Sequence, residues 1–298
     1  MKLEQLVMFK AVADFGSLSQ ASQALHKTQP AISQGIRQLE SILNVQLFSR
    51  AAYRLTLTQA GKAVYQHAQR LLDEAASLKQ AANNIAAGNE ISITIAIEAA
   101  FDLKGILPLL ESVQSQFPNT QIVLKQEYLS GALDLLQKKL ATLCISPAEG
   151  GVFHQGNFEC HLLNSGVLVN VASPRLVARH PQLATRTELI NEYQIVVQDS
   201  GSGTRDRDFG VQVGQRRWYV NDYATKRMLI ESGMGWGKLP GNYAEQGLQN
   251  GSLVKLQLTD IQNEIKLHYQ IMKNKDQTLG PVAQTLWERF RAYTFNQF

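Results

Sequence analysis

Cys144 and Cys160 are the only cysteines among the 298 residues, too few for the disulfide framework of a small secreted domain. No apolar stretch reaches the eighteen residues that would suggest a membrane-spanning helix. Residues 1–5 also lack the long apolar core of a secretory signal. We therefore expect a cytoplasmic protein with no membrane partner. In a reducing compartment, both thiols are expected to be small buried hydrophobic side chains.

The net charge is only +4, and its position is more informative than its size. Residues 1–62 hold seven Lys and Arg side chains against three Asp and Glu, whereas the rest of the chain holds 22 of each kind. A surface that faces a polyanion is therefore expected near the amino terminus. Because the surplus is modest, we expect two copies to act together, which doubles the phosphate contacts. The length suits two or three domains.

Residues 17–39 have the pattern of two short amphipathic helices, and the apolar spacing of the second continues to Leu43. Ser17 and Thr28 each suit a helix cap, and Pro30 falls in a first turn, where its missing N–H does no harm. Apolar residues recur on one face of each predicted helix: Leu18, Ala21 and Leu25 on the first, and Ile32, Ile36, Leu39 and Leu43 on the second. This arrangement is typical of a helix-turn-helix.

The outward face of the second predicted helix is polar. It consists of Gln29, Pro30, Ser33, Gln34, Arg37 and Ser41. Amide, hydroxyl and guanidinium groups are the types that contact base edges and phosphates in a major groove. Each residue taken alone could equally be an ordinary solvent-facing side chain. Their place on the second helix of a capped pair favours DNA binding.

The amino-terminal segment resembles the LysR-type transcriptional regulators. The matching residues are Phe9, Gly16, Ser17, Ala21, Ala24, Leu25, Gln29, Pro30, Ala31, Ile32, Ser33, Ile36, Leu39, Glu40, Leu47, Phe48, Arg50, Leu57, Thr58, Ala60 and Gly61. That family has a winged helix, so the resemblance implies that Ser17, Thr28, Gln29, Pro30, Ser33, Gln34 and Arg37 lie in or beside the groove. It also implies a wing at 49–56, where Arg50 and Arg54 face phosphate or the minor groove with Tyr53 between them.

Three positions depart from the family pattern. Ser22 stands where a second alanine is usual, and Asn44 stands where glycine is usual. Asparagine tolerates the left-handed conformation of a helix C-terminus. Gly35, inside the second helix, costs about 1 kcal/mol relative to alanine. We expect Gly35 to remove one side chain from near the groove.

A heptad pattern follows the predicted wing. Apolar residues alternate at spacings of four and three, at Val64, Ala68, Leu71, Ala75, Leu78, Ala82 and Ile85. Thr58 suits an N-cap and Gly88 a stop, which predicts a linker and dimerisation helix over 59–88 between a DNA-binding head (1–58) and a third domain (89–298). Pairing with a second copy is favoured, and packing of the stripe on the downstream domain is the alternative. In LysR-type regulators the corresponding helix pairs two chains antiparallel.

Strand-like and helix-like segments alternate after Glu90, which predicts parallel α/β units. Strands are predicted at 91–97, 121–126, 143–146 and 162–172 and from Ile195, with helices at 107–117 and 133–140. This part resembles the effector domain of the same family through 107–108, 117–118, 233–235, 239–240, Gly247 and 251–254. That domain is similar to a two-lobed periplasmic binding protein. The resemblance implies lobe one at about 90–162 and 268–298 and lobe two at about 163–267.

Ligands of open α/β lobes lie beyond the carboxyl ends of the strands. This rule selects Glu98, Ala99, Ala100, Phe101, Tyr128, Ser130, Pro147, Gln198, Ser200, Gly201, Ser202, Gly203, Thr204, Asn221 and Asp222 as effector-binding candidates. The run 200–204 could cradle an anion with its backbone N–H groups or form a plain turn. Glu98 and Asp222 would instead favour a cation or an amine.

Two rival functions are weaker. The glycine-rich run 233–237 looks like a dinucleotide loop but follows a helix-like segment, so the strand-turn-helix context is absent. We expect no enzyme activity, no cofactor and no metal site. A redox-responsive regulator could use Cys144 and Cys160, but they do not match the cysteine positions of peroxide-sensing family members, and structural thiols are favoured.

These patterns together predict an α/β protein with a winged helix-turn-helix, a long coiled-coil helix and a two-lobed sensor. The expected partners are double-stranded promoter DNA, a small-molecule effector and further copies of the chain in a dimer of dimers. RNA polymerase is a further partner if the protein activates transcription.

Overall fold

A computed structural model describes residues 1–49, 55–147, 157–203, 211 and 214–293. The chain divides into two compact units, Met1–Ala87 and Gly88–Phe298. The first unit contains the predicted head together with the predicted linker helix. The second contains the predicted sensor.

The first unit begins with helices α1 (Leu3–Phe15), α2 (Leu18–Ala24) and α3 (Gln29–Leu43). The Ser17 hydroxyl accepts from the N–H of Gln20 at 3.5 Å, and the Thr28 hydroxyl accepts from the N–H of Ala31 at 3.4 Å. Both predicted caps are therefore confirmed. Helix α3 ends at Leu43, and its C-cap Asn44 has a φ of 53°, the left-handed conformation expected there.

The buried faces of these helices meet in one apolar core. Its members include Leu6, Met8, Phe9, Val12, Ala21, Ile32, Ile36, Leu39, Leu47, Phe48 and Ala68. The rings of Phe9 and Phe48 pack edge to face with centroids 5.5 Å apart. Since a fully buried large apolar side chain stabilises a fold by about 1.5–3 kcal/mol, this core holds α3 in place.

Strands β1 (Phe48–Ser49) and β2 (Thr56–Leu57) pair antiparallel, and helix α4 (Gln59–Ala86) follows. The Thr58 hydroxyl caps α4 by accepting from the N–H of Gly61 at 2.9 Å. Beyond its end, Gly88 takes a φ of 74°, consistent with the predicted stop.

The heptad stripe of α4 is buried at Ala68, near the start of the helix, and its large apolar side chains farther along are exposed. Ala68 belongs to the head core, whereas Leu71, Leu78 and Ile85 are 48 %, 71 % and 59 % exposed. The first turns of α4 are therefore anchored within the chain, and its remaining large apolar side chains are uncovered in a single copy.

The second unit alternates strands with helices. Its strands are β3 (Ser92–Glu98), β4 (Gln121–Glu127), β5 (Leu143–Pro147), β6 (Phe158–Ala172), β7 (Tyr193–Val197), β8 (Arg216–Val220), β9 (Trp236–Pro240), β10 (Val254–Lys255) and β11 (Glu264–Asn274). Its helices are α5 (Leu107–Gln116), α6 (Gly131–Gln137), α7 (Pro174–Ala178), α8 (Tyr223–Glu231), α9 (Gly241–Asn250) and α10 (Pro281–Ala292), with short 3-10 helices at Leu103–Ile106 and Arg186–Leu189. The helix expected over 133–140 ends early, because Lys139 takes a φ of 57°.

The strands form one sheet in the order β4-β3-β5-β11-β6-β9-β7-β8, with β10 beside β6. Strand β3 runs parallel to β4 and β5, and β7 runs parallel to β8 and β9. The long antiparallel pair β6 and β11 joins these two parallel groups. Both expected lobe boundaries, at 162/163 and 267/268, fall inside this pair, so the lobes share two strands.

The cysteines differ in environment. Cys144 on β5 is buried, as expected, whereas Cys160 on β6 is exposed, so the expectation of two buried thiols is wrong for Cys160. Met272 of β11 pairs with Cys144 on one side and with Cys160 on the other. The cysteines are thus two strand spacings apart, about 10 Å, beyond the reach of a disulfide.

Candidate functional site

Helix α3 presents a polar face away from the head core. Thr28, Gln29, Pro30, Gln34 and Arg37 are exposed, while Ser33 and the α2 cap residue Ser17 are half-buried. The buried residues Ile32, Ile36 and Leu39 lie on the opposite face of the same helix. A rigid apolar anchor therefore holds a row of hydrogen-bonding side chains at the surface, which is the arrangement that groove recognition requires.

Gly35 does not belong to this polar face. It is buried, and a Cβ added there would lie 2.4 Å from the sulfur of Met8 on α1. The expectation that Gly35 removes a side chain from near the groove is therefore wrong. The glycine instead lets α1 and α3 approach closely.

The wing candidates Arg50, Tyr53 and Arg54 lie outside the described residues. Strand β1, which precedes them, is tied to α3 by Glu40, whose Oε1 accepts from the N–H of Leu47 at 2.8 Å and of Phe48 at 3.4 Å. This link between α3 and β1 was not predicted from the sequence. It sets where the chain leaves α3 and enters β1.

In the second unit, Glu98 is a buried carboxylic acid at the end of β3, only 3 % exposed. Its Oε2 accepts from the N–H of Ala100 at 3.0 Å and lies 3.4 Å from the hydroxyl of Tyr269. The N–H of Leu129 also donates to this carboxylate. Burial raises the pKa of Glu98 from 4.5 to about 7, although these hydrogen bonds oppose the rise.

Three tyrosines form an aromatic cluster that spans the two parallel strand groups. Tyr128 follows β4, Tyr223 opens α8 and Tyr243 lies on α9; the ring centroids are 5.5 Å apart for the first pair and 5.3 Å for the second. The N–H of Tyr223 donates to the hydroxyl of Tyr128. Burial is the main reason that the pKa of each tyrosine is raised, and the charge of Glu98 adds to it. Glu98 and the cluster are therefore neighbours.

The segment 199–203 is bonded to the residues around the start of α6. Asp199 accepts from the N–H and the hydroxyl of Ser130 at 3.0 and 2.7 Å and from the N–H of Gly201 at 2.8 Å. Ser202 donates its N–H and its hydroxyl to Asp134 at 2.9 and 2.7 Å. The N–H of Gly203 donates to the Ser130 hydroxyl at 2.9 Å.

These hydrogen bonds bear on the two interpretations of the Gly/Ser run, an anion cradle or a plain turn. The N–H groups of Gly201, Ser202 and Gly203 are already satisfied by oxygen atoms of the chain itself. They favour a turn stabilised from within over a cradle for an anion. Thr204 lies outside the described residues.

The other effector candidates occupy different surroundings. Ala99, Ala100 and Phe101 are buried after β3, and Pro147 is buried at the end of β5. Gln198 and Asn221 are exposed. Asp222 caps α8, accepting from the N–H and hydroxyl of Thr225 at 2.6 and 2.8 Å, and these bonds lower its pKa. Among the candidates, Tyr128 therefore belongs to the tyrosine cluster, and Glu98 and Asp222 lie beside it. Ser130 and 200–203 instead form the internally bonded turn.

Asp199 and Tyr223 fall within the strand-end segments 198–204 and 221–223 selected from the sequence. Four further residues of this region lie outside every selected segment: Asp134, Ser146, Tyr243 and Tyr269. Ser146 lies one residue before the selected Pro147, and Asp134 lies about one helical turn after the selected Ser130. A wider window around each strand end would have included both. Tyr243 and Tyr269 belong to α9 and β11, and only the folded sheet brings them to the end of β3.

The class of protein follows from three features: a capped helix pair, α2 and α3, with an exposed polar face; the long helix α4; and a two-lobed α/β unit. Together they define a ligand-responsive DNA-binding regulator. Residues 3–62 match the family described as "Bacterial regulatory helix-turn-helix protein, lysR family", and residues 86–294 match the "LysR substrate binding domain". The chain belongs to the LysR family of transcriptional regulators, and it is a regulator rather than an enzyme.

Curated relatives that match this chain over most of their own length are transcriptional regulators. The nitrogen assimilation regulatory protein nac of Escherichia coli is 36 % identical over 97 % of this chain and 93 % of its own. The transcriptional regulator AceR of Acinetobacter baumannii is 26 % identical over 97 % of this chain and 96 % of its own. The similarity therefore covers both units.

Solved structures share the fold. LysG of Corynebacterium glutamicum with bound effector Arg matches with a TM-score of 0.51 at 21 % identity, over 98 % of this chain and 97 % of that one. A full-length variant of AphB also gives a TM-score of 0.51, at 20 % identity, over 98 % of this chain and 99 % of that one.

Within the described part of the chain, no helix is long and apolar enough to span a membrane.

Proposed function

We propose that this protein controls transcription from particular promoters by placing α3 in the major groove, with Gln29, Ser33, Gln34 and Arg37 facing the bases and phosphates. The observation that carries this proposal is the exposed polar face of α3, opposite a face buried in the head core. Ser17, Thr28 and Pro30 would lie beside the groove. Arg50, Tyr53 and Arg54 would contact the backbone or the minor groove from the wing.

We further infer that α4 is the dimerisation element, through its heptad residues Val64, Ala68, Leu71, Ala75, Leu78, Ala82 and Ile85. The exposure of Leu71, Leu78 and Ile85 in the single chain supports this inference, because such a stripe needs a partner. Dimers joined through their sensor units would form a tetramer that spans two sites on one promoter. The domain division would be a head at 1–58, a linker helix at 59–88 and a sensor at 89–298.

The effector would lie in the cleft between the lobes, near the candidates that follow β3, β4, β5, β7 and β8. A ligand that binds one arrangement of the lobes more tightly shifts the population toward it. Altered spacing of the heads would then change how the promoter DNA is bent. The protein would act in the cytoplasm, and would contact RNA polymerase if it is an activator.

The experiment that tests the proposal is selection from fragmented genomic DNA by the full-length protein in the presence of random competitor. Enrichment of a few fragments, lost in Gln34→Ala, is the expected result. A control variant, Gln80→Ala, changes an exposed residue of α4 outside the heptad stripe and should leave the enrichment unchanged. Equal recovery of all fragments at every salt concentration would contradict the proposal.

A further inference from the structure

We propose that the effector of this protein carries a positive charge, as an amine or a guanidine, and that its charged group binds between Glu98 and the tyrosines Tyr128, Tyr223 and Tyr243. The inference rests on the proposed function, in which the cleft between the lobes is the effector site. It names the class of ligand that this particular chain is built to take.

The aromatic cluster is the first support. Tyr128 and Tyr243 are half-buried, with part of each side chain left accessible, whereas Tyr223 between them is 5 % exposed. Aromatic faces attract cations through their quadrupole, and the attraction is strongest where water is excluded. Three adjoining rings, carried by the segment after β4 and by α8 and α9, therefore offer a cation a partly desolvated wall.

Two carboxylic acids lie close to this wall. Glu98 and Asp222 each act on the ionisation of Tyr128 and Tyr243, which places both acids close to the exposed rings. Among the described residues no Lys or Arg forms an ion pair with Glu98, and none contributes to the shift in its pKa. The negative charge beside the cluster is therefore not neutralised by the described part of the chain.

Ser146 is an independent pointer to a hydrogen-bonding ligand. Ile97 of β3 pairs with Ile145 of β5 in parallel register, so the next residues, Glu98 and Ser146, lie side by side near the carboxyl ends of two adjacent strands. Ser146 is fully buried, and its Oγ has no hydrogen-bond partner among the described residues. A buried polar atom without a partner is costly. An ammonium group, which has only donors, could satisfy this hydroxyl and Glu98 together.

An anionic ligand is disfavoured by the same surroundings. The donors that could receive it, at 201–203, are bonded to Asp199, Asp134 and Ser130. An anion would have to displace these three oxygen atoms, two of which belong to carboxylates. Of the two predicted ligand types, these bonds favour the cation.

The ionisation of Glu98 should also make binding of the ligand depend on pH. The groups around Glu98 are Glu127, its register partner on β4, Tyr128 after β4, Cys144 on β5, the cap Asp222 and Tyr223 at the start of α8, Tyr243 on α9 and Tyr269 on β11. The tyrosine and cysteine pKa values are raised and that of Asp222 is lowered. Among those of these groups whose pKa is shifted, Glu98 alone changes its charge near pH 7.

The test is calorimetric titration of the full-length protein with phenethylamine, 2-phenylethanol and phenylacetate, which share a ring and differ in charge, and with the dication agmatine. We expect at least one of the two amines to bind, and phenethylamine to bind roughly tenfold more tightly than the alcohol. The affinity for the amine should rise about tenfold between about pH 6 and 8, as Glu98 becomes ionised.

Two variants identify the groups. Glu98→Gln should abolish the rise with pH, while Glu111→Gln, which removes an exposed charge from α5 of the same lobe, should keep it. If Glu98→Gln does not fold, Tyr243→Leu decides, because loss of a ring should weaken the amine more than the alcohol. The inference is overturned if phenylacetate binds as tightly as the amine, if neither amine binds, or if the pH dependence survives in Glu98→Gln.

These outcomes are separable from those for the proposed function. Selection of genomic fragments needs no added ligand, so it can succeed while the amines fail, which would leave a DNA-binding regulator with a different effector class. Failure of the selection with successful amine binding would contradict the proposed promoter binding and keep the ligand site.

Discussion

The Oε2 atom of Glu90 lies 3.0 Å from the backbone nitrogen of Val282 and accepts its hydrogen bond. The other carboxylate oxygen accepts from Ala283 at 3.1 Å. The residue before α10, Gly280, has no side chain to offer as a cap, so an acid from the start of the second unit caps the last helix of that unit. A negative charge at this position also complements the helix dipole.

Replacing Glu90 with alanine should lower the free energy of unfolding of the second unit by about 1–3 kcal/mol, since two charge-assisted hydrogen bonds are lost. The chain's three tryptophans, Trp218, Trp236 and Trp287, all lie in this unit, so their fluorescence reports its unfolding in denaturant. Glu111→Ala, on the exposed side of α5, is the control. Identical unfolding midpoints for the two variants would contradict the capping role.

Leucine in place of Gly35 should destabilise the head by about 1–3 kcal/mol, because the space above this residue is filled by Met8. Gln34→Leu, one residue away on the exposed face, should leave the thermal transition nearly unchanged and weaken DNA binding. Circular dichroism melts and a binding titration of both variants make the comparison. A head that tolerates Gly35→Leu as well as Gln34→Leu would show that Gly35 is not a packing residue.

Lys226 on α8 is 6 % exposed, and a Cβ added to Gly237 would lie 3.1 Å from its Cε. Burial, together with the smaller effect of the charge of Lys238, lowers the pKa of Lys226 from 10.5 to about 7. Below pH 7 the folded protein carries the full cost of the buried charge. Between pH 7 and 10.5 the unfolded chain binds the extra proton, so this cost declines as the pH rises.

Lys226→Met should therefore stabilise the second unit by about 1–3 kcal/mol near pH 6 and by much less near pH 10. Tryptophan fluorescence in denaturant at both pH values measures this difference. Lys104→Met, at an exposed position, supplies the control and should show no such trend. A stabilisation independent of pH would mean that Lys226 acts through packing and not through its charge.

Placing a charge on the exposed stripe of α4 should separate the copies. Leu78→Asp is expected to reduce the mass measured by light scattering to that of a smaller assembly, because a carboxylate would be buried against a partner helix. Gln80→Asp adds the same charge off the stripe and should preserve the native mass. The stripe is excluded as an interface if both variants keep that mass.

Local signals predicted much of this structure. The caps at Ser17, Thr28 and Thr58 and the apolar spacing of α3 and α4 depend on neighbours within a few residues, so a sequence reveals them. Gly35 was open to the same logic: it lies three residues after Ile32 and four before Leu39, on the buried face. The error came from treating it as part of the polar face.

Contacts between distant segments could not be found in this way. Glu90 meets Val282, Asp199 meets Ser130, and Tyr269 meets Glu98 across separations that only the sheet order brings together. The strand-end rule selected Glu98, Tyr128 and Asp222 from three separate segments, and the structure brings these three side chains close together. The rule could not tell which donors are used by the chain itself and which side chains remain available to a ligand.

The salt dependence of specific DNA binding is the most direct measurement of the role assigned to α3. Arg37 is exposed on that helix, and Arg70 is exposed on α4. In a plot of log affinity against log salt, Arg37→Ala should weaken binding and reduce the slope by about 1 for each protomer bound, while Arg70→Ala should follow the unmodified protein. Superimposable plots for Arg37→Ala and the unmodified protein at every salt concentration would contradict the placement of α3 against DNA.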